Sequence, residues 1–288
     1  MLRPVGDFAL QVHWSSAPCA LQPELDDFLR LARLAERSGI HSVHVPLYTS
    51  PSQALEWAGA AAAETSRVSF RVGADFACTL QNLRGETLLQ AARALPSRLI
   101  MHILFSGNQE RLDAAREFVT NLQSLFPGGD APRFDVEGQS AEAAFLAIQR
   151  GDCLWRMPDV PDQVYADALP VLHFGKHVGM TAYVIARENY EQAHAVALDL
   201  LPGPCAEHWQ DSKAWRAPHI WSSEGLAGQG TAAIVGSYDE VANVLQSFKA
   251  CGIMQVLLRE LRWGHEFGRF TEEVLPRLRL FESKQKAA

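Results

Sequence analysis

At 288 residues with 48% hydrophobic content, the chain is long enough for one large α/β barrel or two small domains, with material for a sizeable core. Its net charge of −7, from 33 acidic and 26 basic residues with no block of one sign, argues against nucleic acid and against an anionic membrane surface as partners. No run approaches the roughly 20 apolar residues of a membrane span, and the opening "MLRPVGDFALQVHW" has no signal-peptide core. Cys19, Cys78, Cys153, Cys205 and Cys251 are odd in number and form no C-x-x-C pair. The expectation is a cytoplasmic protein without a disulfide framework or thiolate metal site.

Short β-rich runs alternate with helical patterns from end to end, the pattern of a parallel sheet wrapped by helices. "FALQVHW" (8–14) precedes a helix over 23–39, with Pro23 at a favourable start, an apolar face of Leu25, Phe28, Leu29, Ala32 and Ala35, and Gly39 as its stop. "HSVHVPL" with "PSQALEWAGAAAAETS" makes a second unit, "RVSFRVGAD" with "QNLRGETLLQAARALP" a third, and "RLIMHILFSGN" with "QERLDAAREFVTNLQSLF" a fourth. "PRFDVEG" with "SAEAAFLAIQRG" is the fifth, "CLWRM" with "PDQVYADALPVLHFGKH" the sixth, and "GMTAYVIAR" with "ENYEQAHAVALDLL" the seventh. The stretch 203–236 reads as loop-rich, with 203–228 an insertion after the seventh unit. The helix "SYDEVANVLQSFKACG", the strand "IMQVLLREL" and a last helix "EFGRFTEEVLPRLRLFES" complete an eighth. Eight parallel strands predict one (β/α)8 TIM barrel spanning 1–288, with its site just beyond the strand C-termini.

Several blocks in order carry a resemblance: "FLRLARLAERSGIHSVHVP", "EWAGAAAAETSRVSFRVGAD", "HILFSGN", "GQSAEAA", "YVIARENYEQA" and "GQGTAAIVGSYDEVANVLQSFKACGIMQVLL". Together they resemble the bacterial luciferase-like flavin-dependent monooxygenases, and within that family the alkanesulfonate monooxygenases. The resemblance covers most of the chain, and the glycine-rich segment 228–236 with its following helix is its most specific part. It implies a barrel that binds reduced FMN, supplied by a separate flavin reductase, and uses it with oxygen to oxidise a small organic substrate. It also implies a homodimer or a dimer with a paralogue.

The resemblance places the flavin phosphate at the turn after the fifth strand, on Gly138, Gln139, Ser140 and Ala141. A helix N-terminus has unpaired N–H groups and a partial positive charge, which stabilise a phosphate. The same Ser140 also reads as an ordinary helix N-cap, and Glu137 beside it would repel a phosphate. Ser106 and Gly107 of the turn after the fourth strand, and His102 on that strand, are further cofactor candidates; His102 equally reads as a core histidine. His13, Tyr183 and His265 are the catalytic candidates, because an imidazole or phenol can pass or hold a proton. Trp14, Tyr48, Arg259 and Arg262 are candidates for substrate binding, the arginines for an anionic group.

The chain departs from the alkanesulfonate enzymes at their working positions. Their R-x-H pair on the seventh strand becomes Thr181 and Tyr183, the cysteine after their second strand aligns near Pro51, and an acid after the fourth becomes Asn108. The joint "FPGGDAPRF" is short where the family carries part of its mobile cover. A catalytically degenerate flavin-binding or partner-binding relative is therefore the alternative reading, and a deazaflavin-dependent barrel a third. A metal site is not expected, since His173 and His177 lack the glutamate and third ligand that a zinc motif needs.

Overall fold

The computed structural model describes residues 7–12, 24–45, 50–75, 85–105, 109–126, 131–200, 214–223, 231–253, 255–260 and 265–279. Its strands are β1 (Asp7–Val12), β2 (Ser42–His44), β3 (Ser69–Asp75), β4 (Leu99–Leu104), β5 (Arg133–Glu137), β6 (Cys153–Arg156), β7 (His177–Arg187), β8 (Trp215–Ala217), β9 (Ile220–Ser223), β10 (Thr231–Ser237) and β11 (Gln255–Glu260). The helices are α1 (Leu25–Ser38), α2 (Pro51–Ala63), α3 (Gly85–Ala94), α4 (Gln109–Ser124), α5 (Ala141–Arg150), α6 (Pro161–His173), α7 (Tyr190–Leu200), α8 (Tyr238–Ala250) and α9 (His265–Arg269). A π-helical turn, Phe270–Val274, continues α9.

Strands β1 to β7 pair in parallel and in chain order, and β11 pairs in parallel with both β1 and β7. That double pairing closes a ring of eight strands, so the (β/α)8 barrel expected from the alternation is the one observed. Helices between consecutive strands are needed because a parallel connection must return the chain to the same end of the sheet.

Local chemistry sets the helix limits. Ser50 caps α2 by accepting from Gln53 N–H at 3.2 Å, with Pro51 in the first turn. Ser237 and Glu240 form a reciprocal capping box at α8. Gly39 ends α1 at φ +75°, a conformation that glycine adopts without steric cost. The buried stripe of α1 is Phe28, Leu31, Ala32 and Ala35, while Leu25 is exposed; the stripe follows i, i+3, i+4, i+7 and is turned slightly from the face expected. Pro23 lies outside the described residues.

The region read as loop-rich differs from expectation. Part of it is antiparallel: β8 pairs with β9 and β9 with β10, and β10 adds in parallel to the second half of β7, Ala233 opposite Tyr183 through Ser237 opposite Arg187. Strand β7 is eleven residues long, so only its first half lies in the barrel wall and the rest serves as a template for this extra sheet. The glycines of 228–236 masked a strand that forms because β7 offers it unpaired backbone groups.

Side chains alternate across the wall. Val43, Phe70, Val72, Met101, Ile103, Phe134, Val136, Leu154, Val178, Met180, Val256 and Leu258 face the helices and join the main core. The positions between them face inward, and many are polar: Ser42, His44, Ser69, Arg71, His102, Asp135, Thr181 and Gln255 are all buried. Barrel interiors are ordinarily filled by Val, Ile and Leu, so this inner face needs a chemical explanation.

Candidate functional site

The lower part of the interior is a closed network around Asp135. Its carboxylate accepts from Arg71, from Arg133 at 3.2 Å and from Trp155 Nε1 at 2.9 Å, and Arg71 Nε also donates to Ser42 Oγ at 2.9 Å. The Arg71 guanidinium lies 4.4 Å from the Trp155 ring centroid. Burial opposes ionisation, but Arg71 and Arg133 outweigh it and hold the Asp135 carboxyl far below the usual range. Gly179 makes room for this layer, because a Cβ there would come 2.6 Å from the Trp155 ring. Each charge in this layer has a partner, Arg71 and Arg133 sharing Asp135, as a structural network requires.

The layer nearer the strand C-termini is different. Glu137 Oε2 accepts from His102 Nε2 at 2.8 Å and Oε1 accepts from Arg259 at 2.5 Å. His44 stands edge-on to His102, with ring centroids 5.3 Å apart, and donates from Nδ1 to Val45 O at 2.7 Å. Although burial pushes the Glu137 carboxyl up, Arg259 and His102 bring it down to about 2. Burial and the neighbouring His102 keep His44 well below the usual imidazole range, so its ring is neutral and its Nε2 is a bare acceptor. Four buried polar atoms of this layer find no hydrogen-bond partner among the described residues: His44 Nε2, His102 Nδ1, Thr181 Oγ1 and Arg259 Nε. Buried polar groups are normally paired, and a cluster of exceptions marks a place for water or a ligand.

Beyond β5 the chain makes the turn singled out in the sequence. Gly138 N–H donates to Trp155 O at 3.1 Å, and a Cβ on Gly138 would lie 2.6 Å from Phe105 O and 2.7 Å from Ala143 Cβ, so only glycine fits. Ser140 Oγ accepts from Ala143 N–H at 3.2 Å as the cap of α5, which leaves its own proton free to donate elsewhere. Arg156, at the end of β6, donates to Gln139 O at 2.6 Å and lies 3.6 Å from Asp167, while its Nε finds no partner among the described residues. Glu137 turns into the barrel, away from a repulsive role at this turn, and a guanidinium stands beside it instead.

The sequence candidates distribute as follows. His102 and Arg259 meet on Glu137, and Gly138, Gln139, Ser140 and Ala141 form the turn and first residue of α5. Tyr183 is buried in a satellite cluster with Ile185, Ala193, Ala197, Ala214, Trp221, Ala233 and Val235. His13, Trp14, Tyr48, Ser106, Gly107 and Arg262 lie outside the described residues, as does the side chain of His265, the first residue of α9. Sequence reading missed His44, Arg71 and Asp135 as site or support residues, and gave no binding or support role to Glu137 and Arg156 at the ends of their strands. The signal was present in the strand triplets "SVH", "SFR" and "DVE", polar at both ends and apolar in the middle, which place the polar pair on one face. No group of three or more metal-ligating side chains occurs among the described residues, and no described helix is long and apolar enough to cross a membrane.

No family model matches the chain, and neither does any curated relative. Solved structures do match it. An EDTA monooxygenase from Chelativorans sp. BNC1 superposes with a TM-score of 0.74 at 11% identity, over 97% of this chain and 95% of that one. The oxygenating constituent of 3,6-diketocamphane monooxygenase from Pseudomonas putida, a type II Baeyer-Villiger enzyme in complex with FMN, gives 0.66 at 15% identity, over 96% and 99%. A coenzyme F420-dependent tetrahydromethanopterin reductase from Methanopyrus kandleri gives 0.65 at 11% identity, over 96% and 100%. The chain thus shares the barrel fold of these enzymes over nearly its whole length. A particular closeness to alkanesulfonate monooxygenases rests on the sequence resemblance alone.

Proposed function

We propose that the chain is a flavin-dependent monooxygenase that oxidises a small organic substrate at the mouth of its barrel, with reduced FMN delivered by a separate reductase and oxygen as co-substrate. One observation carries this reading: the upper inner wall buries two imidazole nitrogens and two donors that no described residue satisfies. The polar edge of a flavin ring, with its N–H and carbonyl groups, matches that set. Arg259 Nε and Thr181 Oγ1 would donate to it, His44 Nε2 would accept, and His102 Nδ1 would pair with the group facing it. At the turn, the Ser140 hydroxyl and the N-terminus of α5 suit a phosphate, and Arg156 supplies the counter-charge. When bound, reduced FMN supplies the electrons that activate oxygen.

The chain's own part is binding, orientation and exclusion of water. Glu137 fixes His102 and Arg259 together, so that their remaining polar atoms are held in place before a ligand arrives. His13, Trp14, Tyr48, Ser106, Gly107, Arg262 and His265 come after barrel strands in the sequence and stay candidates in this reading. Arg259 is neutralised by Glu137, and Thr181 and Tyr183 bring no charge, so the described wall lacks a free cation for a sulfonate. The substrate is accordingly read as something other than an alkanesulfonate. Thr181 and Tyr183 also favour the second reading, a barrel that binds flavin or a partner without turnover.

Anaerobic titration with reduced FMN, run beside oxidised FMN and coenzyme F420 and followed by tryptophan fluorescence, tests the proposal. Saturable binding of reduced FMN that weakens at least tenfold in Arg156→Ala is the expected result. Binding of neither flavin form refutes it, and a preference for F420 moves the chemistry to hydride transfer. Tight flavin binding with no substrate-coupled oxygen consumption across a broad panel selects the second reading.

A further inference from the structure

The extra sheet carries a cleft formed by none of the inner-wall residues. It holds about 490 Å³ and is lined by Tyr190, Trp215, Ala217, Pro218 and His219, a size within the roughly 300–1,000 Å³ of small-molecule sites. Tyr190 opens α7, Trp215 starts β8, and Pro218 with His219 makes the turn between β8 and β9. The rings of Tyr190 and His219 meet at 77° with centroids 5.6 Å apart, as two perpendicular walls. The His194 ring connects the other walls, 5.7 Å from Tyr190 and stacked 6.1 Å from Trp215.

The polar atoms beside these walls are acceptors. His219 Nδ1 lies 3.1 Å from Val235 O; a carbonyl can only accept, so Nδ1 carries the proton and Nε2 of the neutral ring is an acceptor. That Nε2 faces Glu240 Oε1 at 3.7 Å, too far for a direct hydrogen bond. Glu240 is held below the usual carboxylate range, chiefly by the Ser237 N–H that donates to its Oε2 at 2.7 Å, and is ionised. Burial first, and then the charges of Glu240 and Glu191, push the Tyr190 phenol above its usual range, so the potential here is negative. Among the described residues no donor reaches either His219 Nε2 or Glu240 Oε1. The fold is shaped to bring these two together: His219 holds φ +70°, uncommon for a residue with a Cβ. A Cβ at Gly236 would come 3.0 Å from His219 Nδ1 and 3.1 Å from Glu240 Oε2.

We infer that this cleft binds a small organic ammonium ion, a protonated primary amine on an alkyl or aryl group. Its N–H groups donate to His219 Nε2 and Glu240 Oε1 and so join two acceptors that cannot bond each other. Its charge lies against the faces of Tyr190 and Trp215, where a ring quadrupole attracts a cation, and its apolar part rests on Ala217 and Pro218. The inference is independent of which reaction the barrel performs.

Isothermal titration calorimetry of the full chain at pH 8 tests it with benzylammonium chloride. The comparison compounds are benzyl alcohol, which has no charge, and benzyltrimethylammonium, which has no N–H. Benzylammonium is expected to bind saturably and at least about tenfold tighter than either. Glu240→Gln, whose amide can still cap α8, and Trp215→Leu should each weaken it at least about tenfold while far-UV circular dichroism stays unchanged. Should a variant misfold, nitrogen-15 NMR of the wild-type imidazoles carries the test: His219 should be protonated on Nδ1 alone at pH 8, and its Nε2 signal should shift as benzylammonium is added. Absence of saturable binding, equal binding of either comparison compound, affinity unchanged in folded Glu240→Gln, or a His219 Nε2 already protonated in the free chain overturns the inference.

Discussion

Replacing Glu137 by glutamine removes the one negative charge that Arg259 and His102 share. Holding that carboxyl at about 2 instead of the ordinary 4.5 corresponds to about 3 kcal/mol of folding stability. Removal of one partner from a buried pair, which strands the other charge, costs a similar ~3–5 kcal/mol. Glu137→Gln is therefore expected to lose about 3 kcal/mol at neutral pH, lowering Tm by roughly 6–12 °C for a chain of this size. Urea unfolding followed by circular dichroism, repeated from pH 7 down to 3, is the assay. The folded-state value lies below the unfolded one, so the Glu137 contribution is complete above about pH 4.5 and is lost as pH falls toward 2. The gap between wild type and variant must shrink to about half or less by pH 3. The double variant Glu137→Gln with Arg259→Met should recover part of the loss, since no guanidinium is then stranded. A gap below about 0.5 kcal/mol, or one that is constant with pH, refutes the assignment of Glu137 as the hub of the upper layer.

Gly138→Ala must push β4 or α5 aside, because its Cβ would meet Phe105 O at 2.6 Å; the expected loss is about 1–3 kcal/mol with weakened FMN binding. Gly59→Ala is the control: its Cβ meets nothing within 4 Å inside α2, and a gain of about 0.5–1 kcal/mol is expected from helix propensity. Glu36 on α1 accepts from the N–H groups of Ser66, Arg67 and Val68 and from the Ser66 hydroxyl. Burial opposes ionisation there, but these hydrogen bonds bring its carboxyl down to about 2. Glu36→Ala should cost about 1–2 kcal/mol after solvent screening, an effect that fades from pH 4.5 toward 2, and should speed hydrogen exchange at residues 66–68. Unchanged exchange there would show that the loop before β3 holds itself.

The eight-unit barrel was legible because strands and helices announce themselves locally, through β-rich runs, the apolar face of the first helix and the Gly39 stop. The turn at Gly138 was legible for the same reason, as a glycine and an N-cap adjacent in the chain. The hairpin β8 and β9 and the added strand β10 were not, since their strand character comes from the unpaired upper half of β7 and from no pattern of their own. The polar inner wall lay between these cases. Its triplets are written in the chain, yet whether Ser42, Arg71, Asp135 and Glu137 face water or each other depends on closure of the ring. Tertiary structure alone joined His102 of β4, Glu137 of β5 and Arg259 of β11, residues up to 157 positions apart, into one charge-balanced cluster. Pairing of that kind is a property of distance in space, which a linear pattern does not encode. The sequence by itself determined the order of the elements and the alternation of their faces; the closed barrel decided which polar groups meet, and which find no partner among the described residues.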